Sequence, residues 1–154
     1  MRISFESANQ PDAIALIAEL DAYQSALYPP ESHHALDLAS VAEQGLLFVV
    51  ARDQEDQAVG CGAVVLSPHY GELKRMYVRP GQRGLGLAKK ILQTLEAAAI
   101  ASACSVLKLE SGPYQLEALG LYARCGYERC GRFGAYSDDP LSVFMQKKLM
   151  TASS

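Results

Sequence analysis

Between Glu72 and Ala88 the chain reads ELKRMYVRPGQRGLGLA, and its periodicity changes partway through. Leu73, Met76 and Val78 are apolar, with Lys74 and Arg75 between them, which predicts a strand. Pro80-Gly81 stops that strand, because Pro has no N–H for the ladder and Gly permits a sharp turn. Beyond the turn, Ala88, Ile91, Leu92, Leu95, Ala98 and Ala99 recur three and four apart, the spacing of one helical face. A strand, a glycine-rich turn and a helix N-terminus therefore meet here, with the helix expected over Leu85 to Ser102.

Such a junction has chemical properties of its own. First-turn N–H groups have no partner inside a helix, and the macrodipole adds roughly half a positive charge there. Gly84, Gly86 and the small Ala88 would let a phosphate approach this backbone, and Arg83 supplies a cation. Arg83, Gly84, Leu85, Gly86, Leu87 and Ala88 thus read as a pyrophosphate cradle. A plain strand-to-helix turn with packing glycines would use a lone G-x-G equally well. Two familiar phosphate loops fail. G-x-G-x-x-G meets Lys89 at its third glycine position, and G-x-x-x-x-G-K-[ST] meets Leu87 and Ala88 after Gly86.

Arg83, Gly86 and Ala88 do form R-x-x-G-x-A, after a strand ending Met76-Tyr77-Val78. This resembles the acetyl-CoA pyrophosphate motif of the GNAT superfamily of N-acetyltransferases. A second segment, Gln115 to Tyr127, resembles that family's other CoA-contacting stretch, N-x-x-A-x-x-x-Y-x-x-x-G-F. Ala118, Tyr122 and Gly126 match, while Gln115 replaces Asn and Tyr127 replaces Phe. The resemblance runs from Ile3 to Leu149 and is strongest from Glu72 to Tyr127.

The resemblance implies an α/β (α+β) fold: a single domain over residues 1–150, with a short tail over 151–154. Its central sheet would be mixed and mostly antiparallel, flanked by helices, with the strand of Met76–Val78 splayed from that of Val106–Glu110. It implies acetyl-CoA as cosubstrate, no metal, and acetyl transfer to a primary amine of a small molecule. Acetylation of a protein or peptide amino group is an alternative, as is a non-catalytic acyl-CoA sensor. By the same resemblance Tyr122 would serve the departing sulfur. Backbone groups of Met76, Tyr77 and Val78 would bind the acetyl carbonyl and the pantetheine arm, and Gln115 would offer an amide to the cofactor. Glu72 would take the amine proton, with Glu110 as a second candidate. Tyr28 and Glu31, in the proline-rich loop after the first helix, would line the acceptor side with Glu110. Asp138 and Asp139 are further anions for a cationic acceptor, and a homodimer is the expected assembly if any forms.

Composition sets wider bounds. A chain of 154 residues with 49% apolar and 20% charged residues can bury a full core. Its formal charge of −3 argues against a nucleic-acid protein. No apolar run is long enough to span a membrane, and Met1 to Glu6 lacks a signal-like apolar core. Cys61, Cys104, Cys125 and Cys130 show no C-x-x-C spacing, so reduced thiols in a cytoplasmic protein are expected. His33-His34 would point in different directions on any regular element, which disfavours a shared metal.

The remaining elements follow from the same rules. A strand is expected over Arg2 to Glu6. A helix starts at Pro11, ends before Pro29 and places Ile14, Leu16, Ile17, Leu20 and Leu27 on its apolar side. A short helix is expected from Asp37 to Gln44. Strands are expected over Leu46–Ala51, Val59–Leu66, Val106–Glu110, Tyr127–Arg132 and Leu141–Leu149. A short helix over Leu116–Cys125 carries Leu116, Leu119 and Tyr122 and stops at Gly126.

Overall fold

The computed structural model describes residues 1–28 and 45–149. Among the described residues seven strands form one sheet: β1 (Arg2–Phe5), β2 (Leu46–Arg52), β3 (Ala58–Leu66), β4 (Gly71–Val78), β5 (Val106–Ser111), β6 (Glu128–Arg129) and β7 (Val143–Lys148). Their order is β1-β2-β3-β4-β5-β7-β6. Every pairing is antiparallel except β4 with β5. That parallel step needs a crossover, and α2 (Leu87–Ala101) supplies it.

Alternation along the strands sorts the core into two layers. Val49 and Ala51 of β2 join Leu73, Leu107 and Leu109 beneath Ile91, Leu92 and Leu95 of α2. Phe48 and Val50 face the other way, with Cys61, Ala63 and Tyr77, under Ala13, Leu16 and Leu20 of α1 (Pro11–Leu27). The third helix, α3 (Leu116–Arg124), places Tyr122 in the α2 layer.

Several expected boundaries and facings are corrected. Ile14 is 55% exposed, and Ala13 takes its place against the sheet, because a small side chain lets the helix lie close. Leu116 is 74% exposed, since it opens α3 at the turn rather than over the core. The helix expected from Leu85 starts at Leu87, because Gly86 before it adopts φ +75°. Strand β6 shrinks to Glu128–Arg129 and β7 begins at Val143. The glycines and Asp-Pro between them favour turns over ladder pairing. The helix expected over Asp37–Gln44, His33-His34 and Glu31 lie outside the described residues. All four cysteines are free, with Cys61 and Cys104 buried.

Candidate active site

Strands β4 and β5 share only the rungs Gly71–Leu107, Glu72–Lys108 and Leu73–Leu109. Beyond Leu73, β4 runs on to Val78, while β5 continues through Glu110 and Ser111 paired with β7 alone. The two strands part, and the edge of β4 facing β5 is left without a ladder. The Arg79 N–H donates to the Val59 carbonyl at 2.9 Å. By antiparallel alternation Tyr77 therefore faces β3, and Val78 turns its backbone groups into the gap. The Val78 carbonyl instead accepts from Arg83 Nε at 2.9 Å.

A bulge bends β4 at this point. Cys61 pairs with Tyr77 and Ala63 with Lys74, so Arg75 and Met76 share one opposing residue, Gly62. Arg75 sits at φ +58°, a conformation rare for a residue with a Cβ. Its side chain is anchored on Asp21 of α1, and its carbonyl accepts from the Cys61 thiol at 3.2 Å. Met76 packs toward α2. The Tyr77 ring points to α1, where its hydroxyl donates to Glu19 at 3.2 Å. Of the three residues expected on the cofactor arm, Val78 is the one whose backbone clearly faces the gap.

The cradle lies just past the strand. A 3-10 turn, Pro80–Gln82, leads to Gly84 at φ +82° and Gly86 at φ +75°. A Cβ at either glycine would meet nothing within 4 Å, so glycine is needed here for its backbone, not for packing room. Gly86 makes no side-chain cap, so the first N–H groups of α2 keep their donors for a ligand. Leu87 buries its side chain in the core, whereas Leu85 is 66% exposed. The Arg83 guanidinium stands 5.9 Å from both the Tyr23 and Tyr77 ring centres. These groups suit a ligand with an anionic end and a long extended arm.

Tyr122 lies in the core on α3. Among the described residues its hydroxyl makes no hydrogen bond, and burial pushes its pKa up. Its ring packs edge-on to Tyr127 at 5.8 Å. Tyr127, at the position of the expected Phe, uses its hydroxyl elsewhere: it donates to Glu96 of α2 at 2.7 Å. That bond ties the end of α3 to α2 and steadies Tyr122. Gln115 is partly spent, because its Oε1 accepts from the Gly112 N–H at 3.2 Å and closes the turn before α3. Its amide nitrogen and the second lone pair of Oε1 remain for another partner.

The α1 side of the sheet carries the carboxylates. Glu72 Oε2 accepts from Lys74 Nζ at 3.2 Å and from the Tyr136 hydroxyl in a shorter bond. Glu110 Oε2, on the other arm of the gap, accepts from Ser142 Oγ at 2.8 Å. Tyr28 is buried and stacks on Tyr114 at 5.3 Å, and its hydroxyl accepts from the Tyr114 N–H at 3.1 Å. A Cβ at Gly112 would lie 1.8 Å from that hydroxyl. Asp138 is exposed, and Asp139 accepts from the Leu141 N–H at 2.8 Å within its own turn. Sequence reasoning missed Tyr114, Phe133 and Tyr136. They lie in aperiodic connections, where only their aromatic character marked them.

The Acetyltransferase (GNAT) family model matches residues 13–127. The chain is 44% identical over 149 residues to an IAA acetyltransferase of Azospirillum brasilense, covering 96% of this chain and 97% of that one. A solved Klebsiella pneumoniae structure assigned to the acyl-CoA N-acyltransferases superposes with TM-score 0.89 at 41% identity, covering 97% of each chain. A Sinorhizobium meliloti phosphinothricin acetyltransferase, solved with acetyl-CoA, has TM-score 0.67 at 18% identity and covers 99% of this chain and 91% of its own. That relative holds acetyl-CoA on the same fold. Parted central strands, an open glycine turn and two matching segments thus agree with the family match over most of the chain, which belongs to the GNAT family and is an acetyl-CoA-dependent N-acetyltransferase.

Proposed function

We propose that this enzyme acetylates a primary amine of a small molecule, with the cosubstrate threaded between β4 and β5. The observation that carries this reading is the end of the β4–β5 ladder at Leu73 and Leu109 while β4 continues to Val78. When bound, acetyl-CoA supplies an activated acetyl group with a thiolate leaving group. Gly84, Gly86 and the first N–H groups of α2 bind the pyrophosphate, with the Arg83 guanidinium beside them. Leu85, Leu87 and Ala88 contribute main chain only. Backbone groups of Val78 and nearby Met76 hold the arm and the carbonyl oxygen as it gains charge, a contribution often worth about 10²–10³ in rate per donor. Gln115 steadies the turn beside it.

Tyr122 donates a hydrogen bond to the departing sulfur. A free thiol has a pKa near ~8.5, and burial holds the Tyr122 phenol well above its ordinary value. The proton therefore stays on the phenol, and the thiolate is stabilised by the bond rather than by full transfer. On the opposite side, Glu72 takes the proton that the amine releases. Tyr28 and Glu110 border the acceptor. The four free thiols suit a reducing compartment, and we place the enzyme in the cytoplasm. No helix among the described residues is long and apolar enough to cross a membrane.

An amine panel with acetyl-CoA, read as release of free CoA thiol, tests the reading. Turnover should require a small primary amine. Release only with peptides or protein termini would move the acceptor class. Glu72→Gln should lower kcat about 10²-fold near neutrality, with partial recovery at higher pH as more free amine forms. Undiminished kcat across that range would assign proton uptake elsewhere. A loss confined to KM would make Glu72 an anchor for the acceptor.

A further inference from the structure

Tyr136 belongs to the connection between β6 and β7, yet its hydroxyl reaches the middle of the sheet. Its ring is gripped edge-on by Phe133 at 5.3 Å and by Phe144 at 5.6 Å. Phe133 is in turn set against Phe144 at 5.6 Å and Tyr70 at 5.6 Å. The hydroxyl accepts from Lys74 Nζ at 2.8 Å and donates to Glu72 Oε2. Lys74 Nζ also donates to that same carboxylate oxygen at 3.2 Å. Three polar atoms from two chain segments therefore close a triangle on one oxygen of Glu72. Its other oxygen, Oε1, has no partner among the described residues.

We propose that Tyr136 is a positioning residue for the Glu72 carboxylate, fixing the direction in which Oε1 is presented; this rests on Glu72 taking the amine proton. Lys74 alone would leave the carboxylate free to turn, since both side chains rise from the same strand two residues apart. Tyr136 approaches from a distant segment and supplies the second fixed point. Because its ring is wedged among aromatic neighbours, the hydroxyl cannot follow the carboxylate if it rotates. Burial and the adjacent anion raise the phenol's pKa, which keeps its proton in place as a donor. A phenol also adds no positive charge beside Glu72. As the N–C bond forms and the C–S bond breaks, that proton passes from nitrogen to Oε1 and the electron pair leaves with sulfur. Tyr136 loses nothing in the step.

The test is a double-mutant cycle of Tyr136→Phe and Glu72→Gln in the full chain, with melting temperature read in parallel. Tyr136→Phe should lower kcat about 10- to 100-fold with the KM for acetyl-CoA unchanged. On the Glu72→Gln background it should have little further effect, because the group it positions is already gone. If Glu72→Gln is impaired while Tyr136→Phe keeps wild-type kcat, the positioning role is overturned and the base assignment stands. If Glu72→Gln is itself fully active, the base assignment fails and the positioning role falls with it. Losses that multiply in the double variant also overturn the proposal, since Tyr136 would then act through another group. Should Tyr136→Phe fail to fold, Lys74→Met removes the other donor to Oε2. It should give the same kcat-only loss, and that loss should be absent when Glu72 is Gln. Any other pattern rejects the triangle as a positioning device.

Discussion

Arg83 Nε donates to the carbonyl of Val78, five residues before it in the chain, at 2.9 Å. The bond closes the Pro80–Gln82 turn from outside and aims the following glycines at the start of α2. Arg83 thus joins the edge of β4 to the cradle.

The cradle can be tested at its backbone. Gly86→Val should weaken CoA binding by at least about tenfold, measured by calorimetry. A side chain forced to φ +75° costs about 1–2 kcal/mol and stands where the phosphates would lie. Since a Cβ at Gly86 meets no protein atom within 4 Å, the variant should still fold. Unchanged CoA affinity in the folded variant would remove Gly86 from the site.

Tyr122→Phe should lower kcat by about tenfold or more while leaving acetyl-CoA KM and thermal stability nearly intact. The lost hydroxyl has no hydrogen-bond partner among the described residues, so its removal strands no other group. Wild-type turnover, with chemistry rate-limiting, would exclude the hydroxyl from the reaction.

The pair formed by Arg52 and Glu6 should give a pH-dependent stability. Arg52 donates to Glu6 at 2.7 and 3.0 Å. The guanidinium holds the Glu6 carboxyl down to about 2 from its usual 4.5. The folded state thus favours the charged form. The stabilisation is fully present above about pH 4.5 and is lost as pH falls toward 2. Glu6→Gln should be destabilised by about 1–2 kcal/mol at pH 7, and denaturant curves for the two proteins should converge near pH 2. A difference that persists unchanged into acid would mean that packing, not charge, is responsible.

Gly112→Ala should unseat Tyr28. The added methyl would lie 1.8 Å from the Tyr28 hydroxyl, so the ring must leave its stack on Tyr114. Overpacking of this kind costs about 1–3 kcal/mol. The variant should melt lower, and Tyr28→Ala should largely relieve the added methyl's effect. Independent, additive losses would separate the two residues.

The strand, turn and helix around the cradle are legible in the sequence because their signals are local. A proline, two glycines and a helical period lie within one short stretch, and each restricts the backbone by itself. The parting of β4 from β5 comes only through the family resemblance, since strand spacing says nothing about where a ladder ends. The facing of Ile14 is misread because α1 carries apolar residues on more than one side, and close approach to the sheet favours the small Ala13 over Ile14. Tyr136 is invisible for a further reason. Its partners Glu72 and Lys74 lie more than sixty residues away, and no periodicity in a Gly-Asp-Pro connection points across that distance.

The three rungs between β4 and β5 also bear on how the molecule breathes. To one side lie β1 to β4, and to the other β5, β7 and β6. Beyond that short seam the two groups of strands are held together by the core they share under α2 rather than by ladder bonds. A cosubstrate lying along β4, as proposed, would act as a suture across that seam. Amides of Lys74 to Val78 and of Glu110 to Ser111 should therefore exchange hydrogen more slowly once CoA is added, while those of β2 and β3 change little. On that proposal, cosubstrate binding would complete the mechanical continuity of the sheet before any bond is made or broken.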